Sequence, residues 1–135
     1  MQLSPFEKGC MKTVLVENLT RPLSQPVRAG FCQSFVCQAK GFTFRRHIEP
    51  EEALLLVQRR DSRLDSSIHM MFVWTDLAVV WINSGMEVVD TRLARQWHPA
   101  YISTRPASYV LEMAPQRLGD FQVGDYLHLV ETAAV

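Results

Sequence analysis

The sequence predicts an α+β domain that is mainly β. Its expected architecture is a small antiparallel β-barrel-like domain with a central hairpin at residues 77–90. Residues 77–82 are apolar on both faces and rich in β-branched side chains, which is typical of a strand in the middle of a sheet or barrel. Residues 83–85, Asn-Ser-Gly, favour a turn, and residues 86–90 alternate more between apolar and polar side chains. The two segments therefore predict a hairpin.

Two further strands are predicted in the first half of the chain. A β-branched run begins at residues 11–16, and two prolines within residues 18–26 then break the strand and turn the chain before an extended segment at residues 27–31. The apolar run at residues 53–57 fits either a helix or a buried strand by periodicity. Its short length, between Pro50 and charged residues, slightly favours a strand.

One short helix is predicted at residues 33–40. Apolar side chains recur there at helical spacing, Lys40 suits the last turn, and Gly41 suits a left-handed end. Pro115 can occupy the first turn of a second short helix that runs to residue 118.

The remaining segments are predicted to extend the sheet around the central hairpin. They are residues 68–73, 108–113 and 126–130, and a polar and aromatic loop spans residues 97–106. Since apolar strand residues must pack against something, a core is expected to contain Val79, Trp81, Val88, Val110 and Leu129.

The chain length of 135 residues fits a single domain. Residues 1–10 show no periodicity and are expected to form a loose N-terminal extension to one domain over residues 11–135, with Met11 as an alternative start. Residues 1–10 also lack the apolar run of a signal peptide, and no apolar stretch approaches the roughly 20 residues that span a bilayer. A soluble cytoplasmic protein without membrane contact is therefore expected.

The charge balance argues against general binding of nucleic acid. Fourteen Lys and Arg residues offset fourteen Asp and Glu residues, so the chain lacks the overall positive charge that phosphate backbones attract. Positive charge concentrates only at residues 45–47 and 59–63, where neighbouring acidic residues dilute it. Both stretches are interpreted as solvated faces of mixed charge.

The cysteines and histidines do not predict a metal site. Cys10, Cys32 and Cys37 are an odd number, and no Cys-x-x-Cys pair or nearby His pair gives zinc spacing. Cys32 and Cys37 lie in an apolar segment, where buried free thiols are expected. We expect no metal, no cofactor and no disulfide framework.

A series of short motifs runs through most of the chain, from about residue 11 to residue 130. The motifs are Asn18 with Thr20-Arg21, Ser34-Phe35, Gly41-Phe42, residues 52–57, Ile68-His69, residues 79–82, Val88-Val89, Arg105-Pro106-Ala107, residues 109–112 and residues 123–125. In this order and spacing they resemble the domain-of-unknown-function family 192. The resemblance implies a compact α+β fold, a small closed or nearly closed antiparallel β-barrel with one or two short helices.

The chain departs from the pattern of that family at the start of the central strand. Many members carry a Pro-hydrophobic-Asp step there, whereas this chain has Asp76, Leu77 and Ala78. The acidic group of the family is thus absent at Ala78, and the carboxylate of Asp76 lies two positions earlier. A function that depends on the family aspartate does not carry over to this chain.

Candidate binding residues occur on both sides of the central hairpin. His69 precedes three apolar residues, a setting that suits either a shielded base or a hydrogen-bonded core histidine. His98 lies beside Trp97 in the loop that leads to Arg105. This combination can form an aromatic and cationic rim for an anionic ligand, or it can cover the open end of a small barrel. We expect binding at the end of the barrel formed by His69, Trp97, His98 and Arg105.

Common catalytic motifs are absent from the sequence. It has no nucleophile elbow, phosphate-binding glycine loop, dinucleotide fingerprint or His-Glu-x-x-His motif. Glu112 lies in a predicted strand, and the sequence leaves open whether its carboxylate faces outward or into the domain.

Three classes of function remain. The favoured one is a non-catalytic binding or accessory module for an unidentified protein or a small anionic ligand. One alternative is an enzyme of unrecognised type with His69 or Asp76 as acid or base. The other alternative is a small-barrel RNA-binding protein that stacks bases on exposed aromatic rings. The oligomeric state is not predicted.

Overall fold

The structure is a computed structural model that describes residues 12–132, so the predicted extension at residues 1–10 lies outside the described part. The described elements are seven strands, one α-helix and one 3₁₀ helix. In chain order they are β1 (Thr13–Asn18), β2 (Val27–Cys32), α1 (Phe35–Lys40), β3 (Glu52–Ser62), β4 (Leu77–Ile82), β5 (Val88–Ala94), β6 (Ala107–Met113), the 3₁₀ helix (Pro115–Asp120) and β7 (Leu127–Glu131). The predicted α+β, mainly β class with two short helices is confirmed.

The seven strands form one mixed sheet in the order β5-β4-β6-β3-β2-β1-β7. Strands β2 and β3 pair in parallel, because α1 and its following loop carry the chain back across the sheet, and the other pairs are antiparallel. The wholly antiparallel pairing that was predicted is therefore interrupted once.

The sheet is open, although its two edge strands approach each other at one end. Glu87, just before β5, forms an isolated bridge with Tyr126, just before β7, and the Val88 amide donates to the Asp125 carbonyl at 2.8 Å. Beyond these contacts β5 continues along β4, and β7 continues along β1. The family resemblance implied a closed or nearly closed barrel, and the sheet does not close, because the two edges pair only at this corner.

Apolar side chains pack on both faces of the sheet. In β4, alternate residues join different clusters: Trp81 belongs to one, which we call the Trp81 cluster, and Val80 to the other, which we call the Leu111 cluster. The Leu111 cluster takes buried side chains from all seven strands, so the sheet wraps around it. Every residue of β4 is buried, and the predicted two-sided strand is confirmed.

The predicted core is confirmed at four of its five positions. Val79, Trp81, Val88 and Val110 are buried, and the Trp81 indole donates a hydrogen bond to the Ser66 carbonyl at 2.8 Å. Leu129 is only partly buried, because β7 is an edge strand.

Local predictions hold best where a cap or a neighbouring strand supports them. The Ser34 hydroxyl accepts from the Cys37 amide and starts α1, while Gly41 ends it with a φ of 48°. The ambiguous run at residues 53–57 is a strand, because β2 and β6 pair with it on its two sides. The predicted hairpin forms, with β5 pairing against β4 from Val88 to Ala94.

Two further predictions, both of local structure, are wrong. Residues 68–73 do not form a strand: Ile68 makes a single bridge with Tyr101, and the chain then turns at residues 71–72. Cys32 and Cys37 are not free thiols but form a disulfide, because the end of β2 and the first turn of α1 bring their Cα atoms to 5.7 Å. Within residues 12–132, no helix is long and apolar enough to span a bilayer.

Candidate functional site

Four aromatic side chains form a contiguous exposed surface at one end of the domain. Phe44 contacts Phe72 at 5.7 Å between ring centroids, Phe72 contacts Trp97 at 5.1 Å, and Trp97 contacts Trp74 at 5.1 Å. Their exposed fractions range from 38% for Trp97 to 66% for Phe44. We call these four residues the aromatic surface.

Backbone hydrogen bonds between three loops build this surface. The Phe44 amide donates to the Phe72 carbonyl at 2.7 Å, and the Trp97 amide donates to the Met70 carbonyl at 2.9 Å. Met70 itself is fully buried in the Trp81 cluster. Each ring lies in a loop between strands, and these loops are supported by buried residues and by hydrogen bonds to one another.

The backbone is strained at three of the four aromatic residues. Phe44, Phe72 and Trp97 have φ values of 66°, 61° and 67°, a region that bulky L-residues rarely adopt. In residues 12–132 only one other non-glycine residue, Met86 in the hairpin turn, has a positive φ. Such conformations cost on the order of 1 kcal/mol or more each and cluster at functional sites.

Positive charge borders the aromatic surface. The Arg46 guanidinium lies 5.4 Å from the centre of the Trp74 ring, and no ion-pair partner for it is found within residues 12–132. Arg45, by contrast, makes two hydrogen bonds to the Glu52 carboxylate, at 2.9 and 2.8 Å. Arg46 is therefore the cation that this surface offers to a ligand.

The structure brings three of the four predicted binding residues to this end of the molecule. Trp97 belongs to the aromatic surface, and the His98 carbonyl accepts from the Met70 amide while its ring lies 4.5 Å from that of Tyr101. The exposed His69 ring has its Nε2 atom 3.2 Å from the Ala39 carbonyl oxygen.

Arg105 lies at the far end of the predicted loop. Its backbone is held by the Ser103 side chain, and the neighbouring Thr104 amide donates to Asp90 at 2.9 Å. No recorded contact within residues 12–132 joins Arg105 to Trp97 or to either histidine. The loop that was predicted as one site thus has two separately anchored ends.

Asp76 fixes the loop that carries Trp97. Its carboxylate accepts from the Gln96 amide at 2.9 Å and lies 3.4 Å from the Arg95 guanidinium. No recorded contact in the described part of the chain joins Asp76 to His69, so the structure does not assemble these two residues as an acid and base pair.

A small cavity adjoins the aromatic surface, between the C-terminal end of α1 and the sheet. Its volume is about 60 Å³, and it is lined by residues 38–43, by Leu56 and Leu77, and by residues 67–69, Val73 and Glu112. The Glu112 side chain points into the Trp81 cluster side of the sheet and is only 5% exposed. Burial raises the pKa of its carboxyl to about 7.

Comparison with known proteins decides the family. The model of the domain-of-unknown-function family 192, described as an uncharacterised ACR, matches residues 17–129. The chain belongs to this family. The UPF0127 protein of Pyrococcus furiosus is 30% identical over 95 residues, covering 70% of this chain and 78% of that protein. The UPF0127 protein of Pyrococcus horikoshii is 28% identical over 98 residues, covering 73% and 82%.

A solved structure shows the same fold. A protein of unknown function from Novosphingobium aromaticivorans superposes with a TM-score of 0.72 at 20% identity, covering 86% of this chain and 83% of that one. The matched region of this family 192 domain contains both the aromatic surface and Glu112. Within residues 12–132, no group of three or more His, Cys, Asp and Glu side chains is placed to hold a metal ion.

The sequence did not indicate that Phe44, Phe72 and Trp74 are surface residues of this family 192 domain. Phe72 and Trp74 lie in an apolar stretch, and such a stretch predicts a buried strand unless a turn is recognised in it. The sequence leaves open the direction of the Glu112 side chain, because that direction depends on which face of β6 the chain after α1 covers. Only tertiary contacts supply that information.

Proposed function

We propose that this chain is a non-catalytic binding module that holds a segment of a partner protein against the aromatic surface. The observation that carries the proposal is the chain of four touching rings, each at least 38% exposed, on a fold that buries both faces of its sheet. Contiguous exposed apolar area marks interaction sites, and Trp and Arg are enriched among residues that dominate binding energy.

The chemistry of the surface defines the segment it suits. The rings offer apolar area that a Leu, Met or aromatic side chain can cover. Arg46, held over Trp74, offers a guanidinium that can pair with a carboxylate in bidentate fashion. The partner segment is therefore expected to carry an apolar anchor with an Asp or Glu close to it.

The backbone strain supports a functional origin for this surface. Three bulky residues at positive φ lower stability while 38% to 66% of each residue stays exposed to solvent, so packing of the domain alone does not explain them. A strained loop that presents its rings in a fixed orientation reduces the ordering cost of binding.

The two alternatives have weaker support. For the enzyme, His69 and Asp76 make no recorded contact with each other, and Asp76 is engaged by the loop at Gln96. The RNA-binding alternative would need free arginines in the basic stretches, and two of them are engaged within the protein. Arg45 pairs with Glu52, and the Arg63 guanidinium donates to the Ser103 carbonyl at 2.8 Å. Aromatic rings alone, without a continuous basic stripe, favour a protein partner.

The test is selection from a random peptide library against the purified protein, followed by measurement of affinity for the enriched peptides. Enriched sequences are expected to combine an apolar side chain with an acidic one. Trp97→Ala should weaken their binding about tenfold or more, as for a residue at the centre of an interface. Arg46→Ala should remove the preference for the acidic residue.

Matched controls separate this surface from the rest of the molecule. Tyr126→Ala removes an exposed aromatic ring elsewhere on the fold and is expected to leave the affinity unchanged. Arg105→Ala is also expected to leave it unchanged, because Arg105 is anchored at the far end of its loop. Equal binding by wild type and Trp97→Ala, or selective binding of single-stranded oligonucleotides instead of peptides, would overturn the proposal.

We further propose that the module acts in the cytoplasm, the compartment that the sequence favours. Cellular thiols keep most cytosolic disulfides reduced, so the Cys32–Cys37 bridge would be open in most molecules there. Thiol alkylation at the moment of cell lysis, followed by mass spectrometry, measures this directly. A bridge found closed in nearly all molecules would contradict a cytoplasmic location.

A further inference from the structure

We propose that the cavity beneath the end of α1 is a binding site for a primary ammonium group, which enters it and pairs with the carboxylate of Glu112. The ligand class is an unbranched alkyl amine or a lysine side chain. The site is separate from the partner surface proposed above and does not depend on it.

Glu112 differs from the other buried carboxylates of the domain in its surroundings. Glu52 is paired with Arg45, Asp90 accepts from the Thr91 and Thr104 amides, and Asp125 accepts from Asn18 and the Gln122 amide. For Glu112, no hydrogen bond or ion pair is recorded within residues 12–132. A buried carboxylate without a donor is costly, and a cationic ligand is the group that would offset this cost.

The sheet surrounds Glu112 with apolar side chains. Its partner residues on the neighbouring strands are Leu54 of β3 and Val79 of β4, both buried. The open direction is toward the end of α1: a Cβ atom at Gly41 would lie 3.5 Å from the Oε2 atom of Glu112. Gly41 also lines the cavity, so the carboxylate oxygen lies at its wall.

Three other polar groups around the cavity can accept hydrogen bonds from a ligand. The Gln38 carbonyl oxygen lies 3.9 Å from where a Cβ atom at Gly41 would stand, and the lining includes the hydroxyl-bearing residues Thr43 and Ser67. An ammonium group has three N–H donors and no acceptor, so it can use the carboxylate together with such oxygens. An anionic ligand would meet the Glu112 carboxylate as a like charge.

The size of the cavity limits the ligand further. At about 60 Å³ it is several times smaller than the pockets of roughly 300 Å³ or more that enclose whole cofactors or drug-sized molecules. It accepts one compact group on a slim stem, which describes an ammonium on a methylene chain better than a planar guanidinium. A metal ion does not fit the lining that the described residues form, since Glu112 is the one carboxylate among them.

Ionisation of Glu112 couples the site to pH. The pKa of about 7 means that the carboxylate forms in the neutral range, so amine binding is expected to strengthen as the pH rises from 5 to 8. Among the described residues, the charged or titratable groups that also line the cavity are Lys40 of α1 and His69 of the loop between β3 and β4, while β3 and β4 themselves contribute only Leu56 and Leu77. His69→Gln should keep the strengthening of amine binding between pH 5 and pH 8, because Glu112 supplies the carboxylate that pairs with the amine.

The experiment is an NMR titration of the whole chain with n-butylamine, using n-butanol at equal concentration and matched sodium chloride as neutral comparisons. Butylamine is expected to shift the amide signals of Gly41, Thr43 and Ser67 and to lower the pKa of Glu112 by at least one unit. Butanol should do neither. Glu112→Gln should weaken amine binding at least tenfold, while Trp97→Ala retains both the binding and its dependence on pH.

Several results would overturn the site. They are equal shifts with butanol, no shifts with butylamine at pH 8, binding that does not strengthen between pH 5 and pH 8, and undiminished binding by Glu112→Gln. The wild-type comparison of butylamine with butanol decides the matter even if Glu112→Gln fails to fold. Because Trp97→Ala tests the partner surface and Glu112→Gln tests the cavity, failure of one proposal does not imply failure of the other.

Discussion

The Glu112 cavity and the aromatic surface depart from ordinary burial in opposite ways. Glu112 places an ionisable group inside an apolar cluster, whereas Phe44, Phe72, Trp74 and Trp97 leave large apolar rings in water. Either arrangement costs free energy, and a fold selected for stability alone would exchange them. The comparison indicates that stable packing alone explains neither the Glu112 cavity nor the aromatic surface.

The two regions share the same loops. Phe42 and Thr43 line the cavity and Phe44 follows them in the aromatic surface, while Val73 lines the cavity between Phe72 and Trp74. Neighbouring residues of the same chain segments thus face inward to the cavity or outward to solvent. A change that moves either loop is expected to affect both regions, and a change confined to one side chain is not.

The largest expected effect tests whether the fold can bury the Glu112 carboxylate only because that side chain faces the cavity. Val110 lies two residues before Glu112 on the same face of β6, is fully buried, and does not line the cavity. Val110→Asp should prevent folding, because a carboxylate there has neither water nor a donor. Val123→Asp, at an exposed position, should leave the melting temperature within a few degrees. A soluble Val110→Asp variant that melts cooperatively would show that the fold accepts a buried carboxylate on this face of β6 without a cavity.

The next effect concerns the pH dependence of stability. The pKa of Glu112 rises from 4.5 to about 7 on folding, so the folded state binds the proton more tightly. The free energy of unfolding should therefore fall by about 3 kcal/mol in all as the pH rises from 4.5 to 7. It should then stay at this lower value above pH 7. Glu112→Gln should abolish this fall and be more stable than wild type at pH 8.

Urea unfolding at pH 5 and pH 8 measures the Glu112 effect. Glu51→Gln, at an exposed position, provides the matched control and should keep the wild-type difference between the two pH values. A Glu112→Gln variant that loses stability at pH 8 relative to wild type would show that the carboxylate already has a stabilising partner inside the protein.

Reduction of the disulfide is expected to have an intermediate effect on stability. It should also perturb the Glu112 cavity more than the aromatic surface. The bridge closes a loop with a sequence separation of 5, and opening it is expected to lower the free energy of unfolding by about 2 kcal/mol. Since α1 borders the cavity, reduction should also shift NMR signals of Gly41 and Glu112 more than the indole signal of Trp97. Cys10→Ser, outside the described residues, should leave the response to reductant unchanged. Equal shifts in both regions would contradict this expected difference.

The smallest effect concerns strain in the aromatic surface. Phe44 has a φ of 66° and is 66% exposed, so glycine relieves the backbone there while giving up little burial. Phe44→Gly is expected to raise the free energy of unfolding by about 0.5 kcal/mol and to weaken peptide binding. Val123→Gly, at an exposed residue without positive φ, should instead lower it. Destabilisation by Phe44→Gly equal to that of Val123→Gly would show that the backbone at Phe44 is not strained.

By itself, the sequence determined those features that neighbouring residues control. The spacing of apolar residues before Gly41 indicated α1, and the two-sided apolar run with its Asn-Ser-Gly turn indicated the β4-β5 hairpin, because caps and turns depend on local backbone preferences. The ordered motifs indicated the family. The polar and proline-containing loop at residues 97–106 indicated Trp97 as a candidate binding residue at one end of the domain.

The tertiary structure decided what depends on residues far apart in the chain. The parallel pairing of β2 with β3, the sheet that stays open at β5 and β7, and the Cys32–Cys37 bridge all follow from how the chain crosses the sheet. The same holds for the rings beside Trp97 and for the apolar surroundings of Glu112. Burial is a property of the assembled neighbours, and a strand pattern states only that side chains alternate, not which side will be covered.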